Sequence, residues 1–286
     1  MWLLYAFGSA LFAGMTSILA KIGVKNIDSN LATALRTIIV LIFSWLMVFI
    51  VGSQYTMEAV SAHSLVFLLL SGGATGASWL CYFKALQLGD INKVTPIDKS
   101  STILTILLAF LILGEIPTLW MGIGIILLIS GTYLMIQRRE SEHSDIKSKS
   151  WLFYAVLSAV FAALTSILGK VGIQGVESNL GTAIRTIVVF VMAWGIVFFQ
   201  KKHVFIKDID LKSWIFIILS GLATGLSWLC YYRALQEGKA SVVVPIDKLS
   251  IVVTITFSCL FLKESLSRKA FAGLLLVISG TILLLF

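Results

Sequence analysis

The chain has 286 residues, 58% of them hydrophobic and 13% charged, with a formal net charge of +8 and a mean hydropathy of +0.99. Soluble domains usually carry about 45–50% apolar and about 25% charged residues, so this composition excludes a soluble globular protein and indicates a polytopic membrane protein. The positive charge does not form a nucleic-acid surface either, because the basic residues sit between apolar runs, where they read as topology signals.

Ten apolar stretches come close to the roughly 20 residues that a membrane-crossing helix needs. The first five are 2–20, 31–52, 65–83, 94–113 and 118–136. The opening stretch follows Met1 with no positive n-region, so it reads as a retained span rather than a cleaved signal. Ala6, Ser9, Ala10, Ala13, Ser17 and Ala20 make a narrow small-residue stripe along it, which predicts a close helix contact. The second stretch carries Arg36 about six residues inside. In the third, Gly72, Thr75, Gly76, Trp79, Tyr82 and Phe83 share one helical face, with small residues for packing and aromatics for a cavity wall or an interfacial belt. The fourth contains Pro96-Ile97-Asp98-Lys99 and closes on Glu115.

The remaining five stretches, 151–169, 180–199, 214–232, 241–262 and 270–286, repeat the first five at a constant shift of 149 positions (170 − 21 = 149 for Lys170 and Lys21). About 60 of the 136 paired positions are identical, the kind of self-similarity that decides an architecture. The domain reading is a first repeat over 1–137, a cytoplasmic linker over 138–150 and a second repeat over 151–286. An odd number of spans per copy inverts the second copy in the membrane, the plan of many secondary transporters. The predicted fold is therefore an all-α integral membrane protein of ten transmembrane helices in two five-helix inverted-topology repeats.

Charge supports the inversion. Loops after the odd-numbered spans hold fifteen Lys and Arg residues, and loops after the even-numbered spans hold Lys170, Arg233 and Lys239. Excess Lys and Arg marks the cytoplasmic side, which places both termini outside. Where equivalent loops change sides, charge changes too: Lys25 becomes Gln174, Lys93 becomes Val242, and Leu119-Trp120 becomes Arg268-Lys269.

Other charged residues keep their place in both copies: Lys21/Lys170, Arg36/Arg185, Lys84/Arg233, Asp98/Asp247, Lys99/Lys248 and Glu115/Glu264. Asp98, Lys99, Asp247 and Lys248 lie deepest, and charges at such depth mark functional sites by default. Neighbouring helical residues point about 100° apart, so one member of each Asp–Lys doublet can anchor a neighbouring span while the other faces a cavity. Pro96 and Pro245 free a backbone carbonyl nearby. An internal ion-pair pin is the competing explanation. For Arg36 and Arg185 a snorkelling stem competes with a role at the site. Lys21, Lys170, Lys84 and Arg233 read as anchors at span ends, and Glu115 and Glu264 as helix-end contacts. Trp79, Tyr82, Trp228 and Tyr231 complete the candidate substrate-binding or coupling set.

No enzyme signature is present: His63, His143 and His203 lie in loops, and no membrane-depth histidine stands near Ser78 to activate it. Cys81, Cys230 and Cys259 sit in apolar runs as small core residues. No metal and no cofactor is expected.

The two five-span halves, Leu113-Gly114-Glu115 and Leu262-Lys263-Glu264 closing the fourth span of each, and a Gly- and Ile-rich last span together resemble the EamA-type proteins of the drug/metabolite transporter superfamily. The segments from Ser29 to Thr37 and from Pro96 to Lys99 resemble half-size members, here fused in tandem. The resemblance covers essentially the whole chain. It implies alternating-access transport around a cavity lined by spans 1, 3, 4, 6, 8 and 9, in members whose termini are usually drawn inside. Span 1 lacks an acidic residue like the coupling glutamate of the small multidrug-resistance relatives.

Arg36, Lys99, Arg185 and Lys248 set against Asp98 and Asp247 leave a net of two positive charges among the deep candidates. That balance favours an anionic or zwitterionic small metabolite, amino-acid-like, moved across the bacterial cytoplasmic membrane by a multi-pass secondary transporter, with proton coupling as an option. A lipid-headgroup or lipid-linked metabolite flippase and a multidrug exporter are the alternatives. The expected partners are a small-molecule substrate and the lipid bilayer, with no nucleic acid. A monomer suffices, and a homodimer is compatible.

Overall fold

The structure is a computed structural model that describes residues 1–286 apart from 24–26, 89–93, 95–96, 99, 136–149 and 262–266, and omits the side chains of 21, 83, 86–87 and 258–261. Lys99, Pro96, Glu264, the Lys21 side chain and all of the 138–150 linker except Ser150 thus lie outside the described residues. The described chain is helical, with no strand: α1 (Trp2–Gly23), α2 (Ser29–Val51), α3 (Ala62–Leu88), α4 (Ser101–Ile112), α5 (Leu119–Met135), α6 (Ser150–Gly172), α7 (Ser178–Phe199), α8 (Leu211–Glu237), α9 (Ala240–Lys248), α10 (Ser250–Phe261) and α11 (Arg268–Leu283). Short 3-10 segments, Ser53–Ala59 and Lys202–Asp208, follow α2 and α7.

Among the described residues, seven stretches are long and apolar enough to cross a membrane: 2–20, Ser29–Val51, Ala62–Tyr82, Ser150–Gly172, Ser178–Phe199, Leu211–Glu237 and Ala240–Phe257. The expected spans 94–113, 118–136 and 270–286 contain shorter helices, α4 with 12 residues, α5 with 17 and α11 with 16. At 1.5 Å per residue, 17 residues reach about 25 Å, short of a hydrocarbon core of about 30 Å. α4 begins after a turn at Ser100, whose N–H and Oγ both donate to the Ile97 carbonyl (3.1 and 2.6 Å); residues 95–96 and 99 of the expected span lie outside the described residues. Leu249 makes the matching turn between α9 and α10, its N–H donating to the Ile246 carbonyl at 2.9 Å.

Side chains set the helix ends. Asp28 caps α2 by accepting from the N–H groups of Asn30 and Leu31 (3.1 and 3.3 Å). Glu177, its counterpart in the repeat, caps α7 by accepting from Leu180 N–H at 3.0 Å. Such caps satisfy donors that a helix start leaves open. α2 ends on Gly52 in the left-handed region (φ +80°), and Lys201 holds that conformation after α7 (φ +57°). A side chain in this region costs about 1–2 kcal/mol, so the basic residue is seated there against backbone preference.

The main packing runs between the halves. α1 lies on α8 and α6 on α3, each pair antiparallel and joined by hydroxyls: Thr16 with Thr224 and Thr75 with Thr165, both at 3.3 Å. Of the small-residue stripes, Ser9 and Ser158 meet the other half's third span at Ser227 and Ser78, while Ser17 is exposed. The glycine faces turn elsewhere. A Cβ on Gly76 would sit 2.5 Å from Met192 of α7, and one on Gly225 would sit 2.6 Å from Phe43 of α2. The last helices of the halves, α5 and α11, cross antiparallel on glycines, with Gly131 against Gly273 and Gly124 against Gly280. Exchanging the halves leaves this contact plan unchanged.

Candidate substrate site

Asp247 lies half-buried on α9, two residues beyond Pro245, which has no N–H for the Ser241 carbonyl one turn back. Its Oδ1 accepts a hydrogen bond from Ser9 Oγ of α1 at 2.5 Å. Ser227 Oγ of α8 in turn donates to the Ser9 carbonyl at 3.1 Å. The first half repeats the arrangement: Ser158 Oγ of α6 donates to Asp98 Oδ1 at 2.9 Å, and Ser78 Oγ of α3 donates to the Ser158 carbonyl at 3.0 Å. Each aspartate is therefore held by the first helix of the opposite half.

No Asp–Lys pin forms among the described residues. Lys248, expected as a buried cation, is exposed. The 100° step from Asp247 turns it away from α1, and as the last residue of α9 its ammonium sits at the negative end of the helix. It drops out of the count of buried charges.

Arg185 behaves in the opposite way. Seven residues, about 10 Å, into α7, it does not snorkel: only 2% of it is exposed. Its Nε donates to Ser71 Oγ of α3 at 3.1 Å, and an Nη donates to Thr75 Oγ1 one turn further along. Ser71 can accept because its own hydroxyl proton goes to the Thr165 carbonyl at 2.7 Å. The guanidinium lies 5.0 Å from the ring centre of Trp228 and 4.7 Å from that of Tyr232, within reach of the aromatic quadrupole. Gly169 makes room for this cage, since a Cβ there would stand 2.8 Å from the Tyr232 ring and 3.1 Å from Ser71 Oγ.

No carboxylate lies within ion-pair distance of Arg185 among the described residues. The described ion pairs are elsewhere, Asp28 with Lys202 at 3.1 Å and Arg233 with Glu237 at 2.7 Å. Tyr231 donates from Oη to Ser166 Oγ at 2.8 Å and stands edge-on to Tyr232, ring centres 5.3 Å apart, so it adjoins the Arg185 cage. Hydroxyl and ring partners offset only part of the cost of burying a charge, so an anion delivered here would meet a desolvated, pre-positioned donor.

The remaining candidates do not assemble a second cage. Arg36, half-buried, donates from an Nη to Thr33 Oγ1 at 3.3 Å, and its Nε is buried without a partner. Trp79 packs among Leu31, Ala34, Ala193 and Val197, and Tyr82 packs beside Ala85, Val94 and Ala155. Of the ten candidates, the structure brings together Arg185, Trp228 and, through Tyr232, Tyr231; Asp247 is tied instead to Ser9 of α1.

The sequence list omitted Ser9, Ser158, Ser71, Thr75, Gly169 and Tyr232. Ser9/Ser158 and Ser71/Ser220 recur in both copies, and that recurrence was the available signal. Lys170 was also misread: it is not a snorkelling anchor but donates to the carbonyls of Leu235 and, at 2.7 Å, Gly238 at the end of α8.

Helices of this length and apolarity packed around buried charges define a multi-pass membrane protein. Residues 1–137 and 149–286 each match the EamA-like transporter family, and the chain belongs to that family, part of the drug/metabolite transporter superfamily. Over 137 residues it is 44% identical to an uncharacterized transporter encoded in the cobO 3′ region of a Sinorhizobium species, a match covering 48% of this chain and 97% of that one. That relative thus corresponds to a single half. An uncharacterized transporter of Bacillus subtilis is 23% identical over 85% of this chain and 76% of its own. A crystal structure sharing 16% identity superposes with a TM-score of 0.76 over 98% of this chain and 94% of that chain, and so has the same fold.

Proposed function

We propose that this protein is a secondary transporter of a small anionic or zwitterionic, amino-acid-like metabolite, working by alternating access. The observation that carries the reading is Arg185, buried to 98% of its surface (100 − 2 = 98) with no carboxylate partner among the described residues. An unpaired guanidinium in a low-dielectric setting binds a carboxylate or phosphate far more strongly than the same group in water. Asp247, half-buried and tied to Ser9 of α1, suits the ammonium of a zwitterion or a coupling proton.

Ten spans in two inverted repeats remain our reading of the topology. The antiparallel glycine contact of α5 with α11 supports it. So does a cavity whose lining gathers His63, Glu115, Lys170 and Lys239, from the connections that follow the second, fourth, sixth and eighth expected spans. Both termini lie outside in this reading. A cysteine at Ser144 should react in intact cells with permeant reagents only, and ready labelling by an impermeant one overturns the orientation.

The function itself is tested by thermal stabilisation of the purified protein against carboxylic acids, amino acids, phosphates and organic cations. Acids, amino acids or phosphates should raise the melting temperature. Stabilisation by lipophilic cations alone would show the sign of the site to be wrong.

A further inference from the structure

Glu115 and Lys170 are charged, present in both copies of the sequence, and unused by the site around Arg185. They converge on one turn. The Glu115 carboxylate accepts from Ala240 N–H at 2.6 Å, from Ser241 N–H at 3.0 Å and from Ser241 Oγ, and so caps the start of α9 from the other half. Lys170 caps the end of α8, donating to the carbonyls of Leu235, of Gln236 at 3.4 Å and of Gly238 at 2.7 Å. An anion at a helix start and a cation at a helix end each complement the helix dipole. The α8–α9 turn at Gly238 and Lys239 is thus clamped from both sides by opposite charges.

The clamp stands at the floor of an open cavity of about 540 Å³ whose wall includes His63, Ser64, Gln174 and Glu237. One turn inward from Lys170 on α6 lies Ser166, buried and bonded to Tyr231 of the substrate site. One wall of the clamp comes from the first half and the other from the second, so a movement of one half against the other must break it.

We infer that Glu115 and Lys170 form a gate that seals this mouth of the solute path, opening when the α8–α9 turn leaves α4 and α6. The inference rests on the transport reading for where the path leads, but its test reads only the mouth. The same Lys and Glu are written at Lys21 and Glu264, which explains why a topology signal does not account for them.

The test uses the full chain with Cys81, Cys230 and Cys259 replaced by Ala and Ser166 by Cys, purified in detergent and labelled with a bulky hydrophilic maleimide. Removing one charge-assisted contact set, by Glu115→Gln or Lys170→Gln, should speed labelling about tenfold or more, and Ser241→Ala about threefold, as hydrogen bonds of these strengths imply. Rates within twofold of the parent in every monodisperse variant overturn the gate. If Glu115→Gln does not yield monodisperse protein, Lys170→Gln and Ser241→Ala decide by the same criterion. Failure of anions to stabilise the protein would sink the substrate reading and leave this result standing.

Discussion

Arg36 and Arg185 occupy the same seat in two copies of one sequence, yet they are built into different surroundings. Arg185 is fully buried between two aromatic rings and bonded to two hydroxyls of α3. Arg36 is half-exposed, reaches a single threonine of its own helix and keeps a buried Nε without a partner. The difference traces to the neighbours. Gly169 and Tyr232 frame the Arg185 cage, and the first copy has Ala20 and Phe83 at those places. Thr224, the counterpart of Thr75, makes the same bonds to the opposite threonine and to the carbonyl one turn back, whereas the arginine of the first copy bonds to Thr33 of its own helix. The helix packing is shared by both halves, and a few substitutions among the described residues go with the caged arginine of the second.

The aspartates show no such divergence, so they give the largest expected effect and the same one in both halves. Asp98→Asn and Asp247→Asn should each lower transport in proteoliposomes by on the order of a hundredfold, the cost of about two tenfold steps at 1.36 kcal/mol each. Both proteins should still insert and purify. If only one variant is impaired, the halves differ in their coupling chemistry as well as in their arginines. Normal rates and pH dependence in both would leave the Asp–Ser ties as structure alone.

A smaller change should convert the second half into the first. Gly169→Ala with Tyr232→Phe removes the space and the phenol that distinguish the two seats. Ligand affinity should drop about tenfold, since one lost polar contact and a misplaced guanidinium together amount to roughly 1–2 kcal/mol. Titration of the best ligand from the stabilisation screen would check this, and unchanged affinity would mean the cage is not what sets Arg185 apart.

The smallest effects belong to the turns after α2 and α7. Gly52→Ala should cost about 1 kcal/mol of stability, whereas Lys201→Gly should add up to about 1 kcal/mol by relieving the left-handed strain. Opposite shifts in melting temperature are expected, and shifts of equal sign would contradict the comparison.

The helical architecture was legible because the repeat and the apolar runs are strong signals, and Ser9 of the stripe from Ala6 to Ala20 does meet α8, although Ser17 is exposed. The pairing of Asp247 with Ser9 was not legible. A serine in a small-residue stripe reads as packing, and nothing local shows which half its hydroxyl will meet. For Arg185 the sequence left a snorkelling stem beside a role at the site, because residue count from a span end gives depth but not direction. Lys248 lies deep along the chain, yet α9 ends there, and its exposure at that helix end was not legible either. The turns at Ser100 and Leu249 inside the two fourth spans were not legible, because each rests on a backbone bond three residues back that no periodicity reveals.

The central claim is that one half alone carries a built anion site. It is tested most directly by measuring ligand-induced stabilisation of the parent protein, Arg185→Gln and Arg36→Gln against the same series of carboxylates, amino acids and phosphates. The account predicts that stabilisation survives in Arg36→Gln and disappears in Arg185→Gln, with both variants remaining folded and monodisperse. Equal stabilisation of all three proteins, or its loss in Arg36→Gln alone, would contradict it.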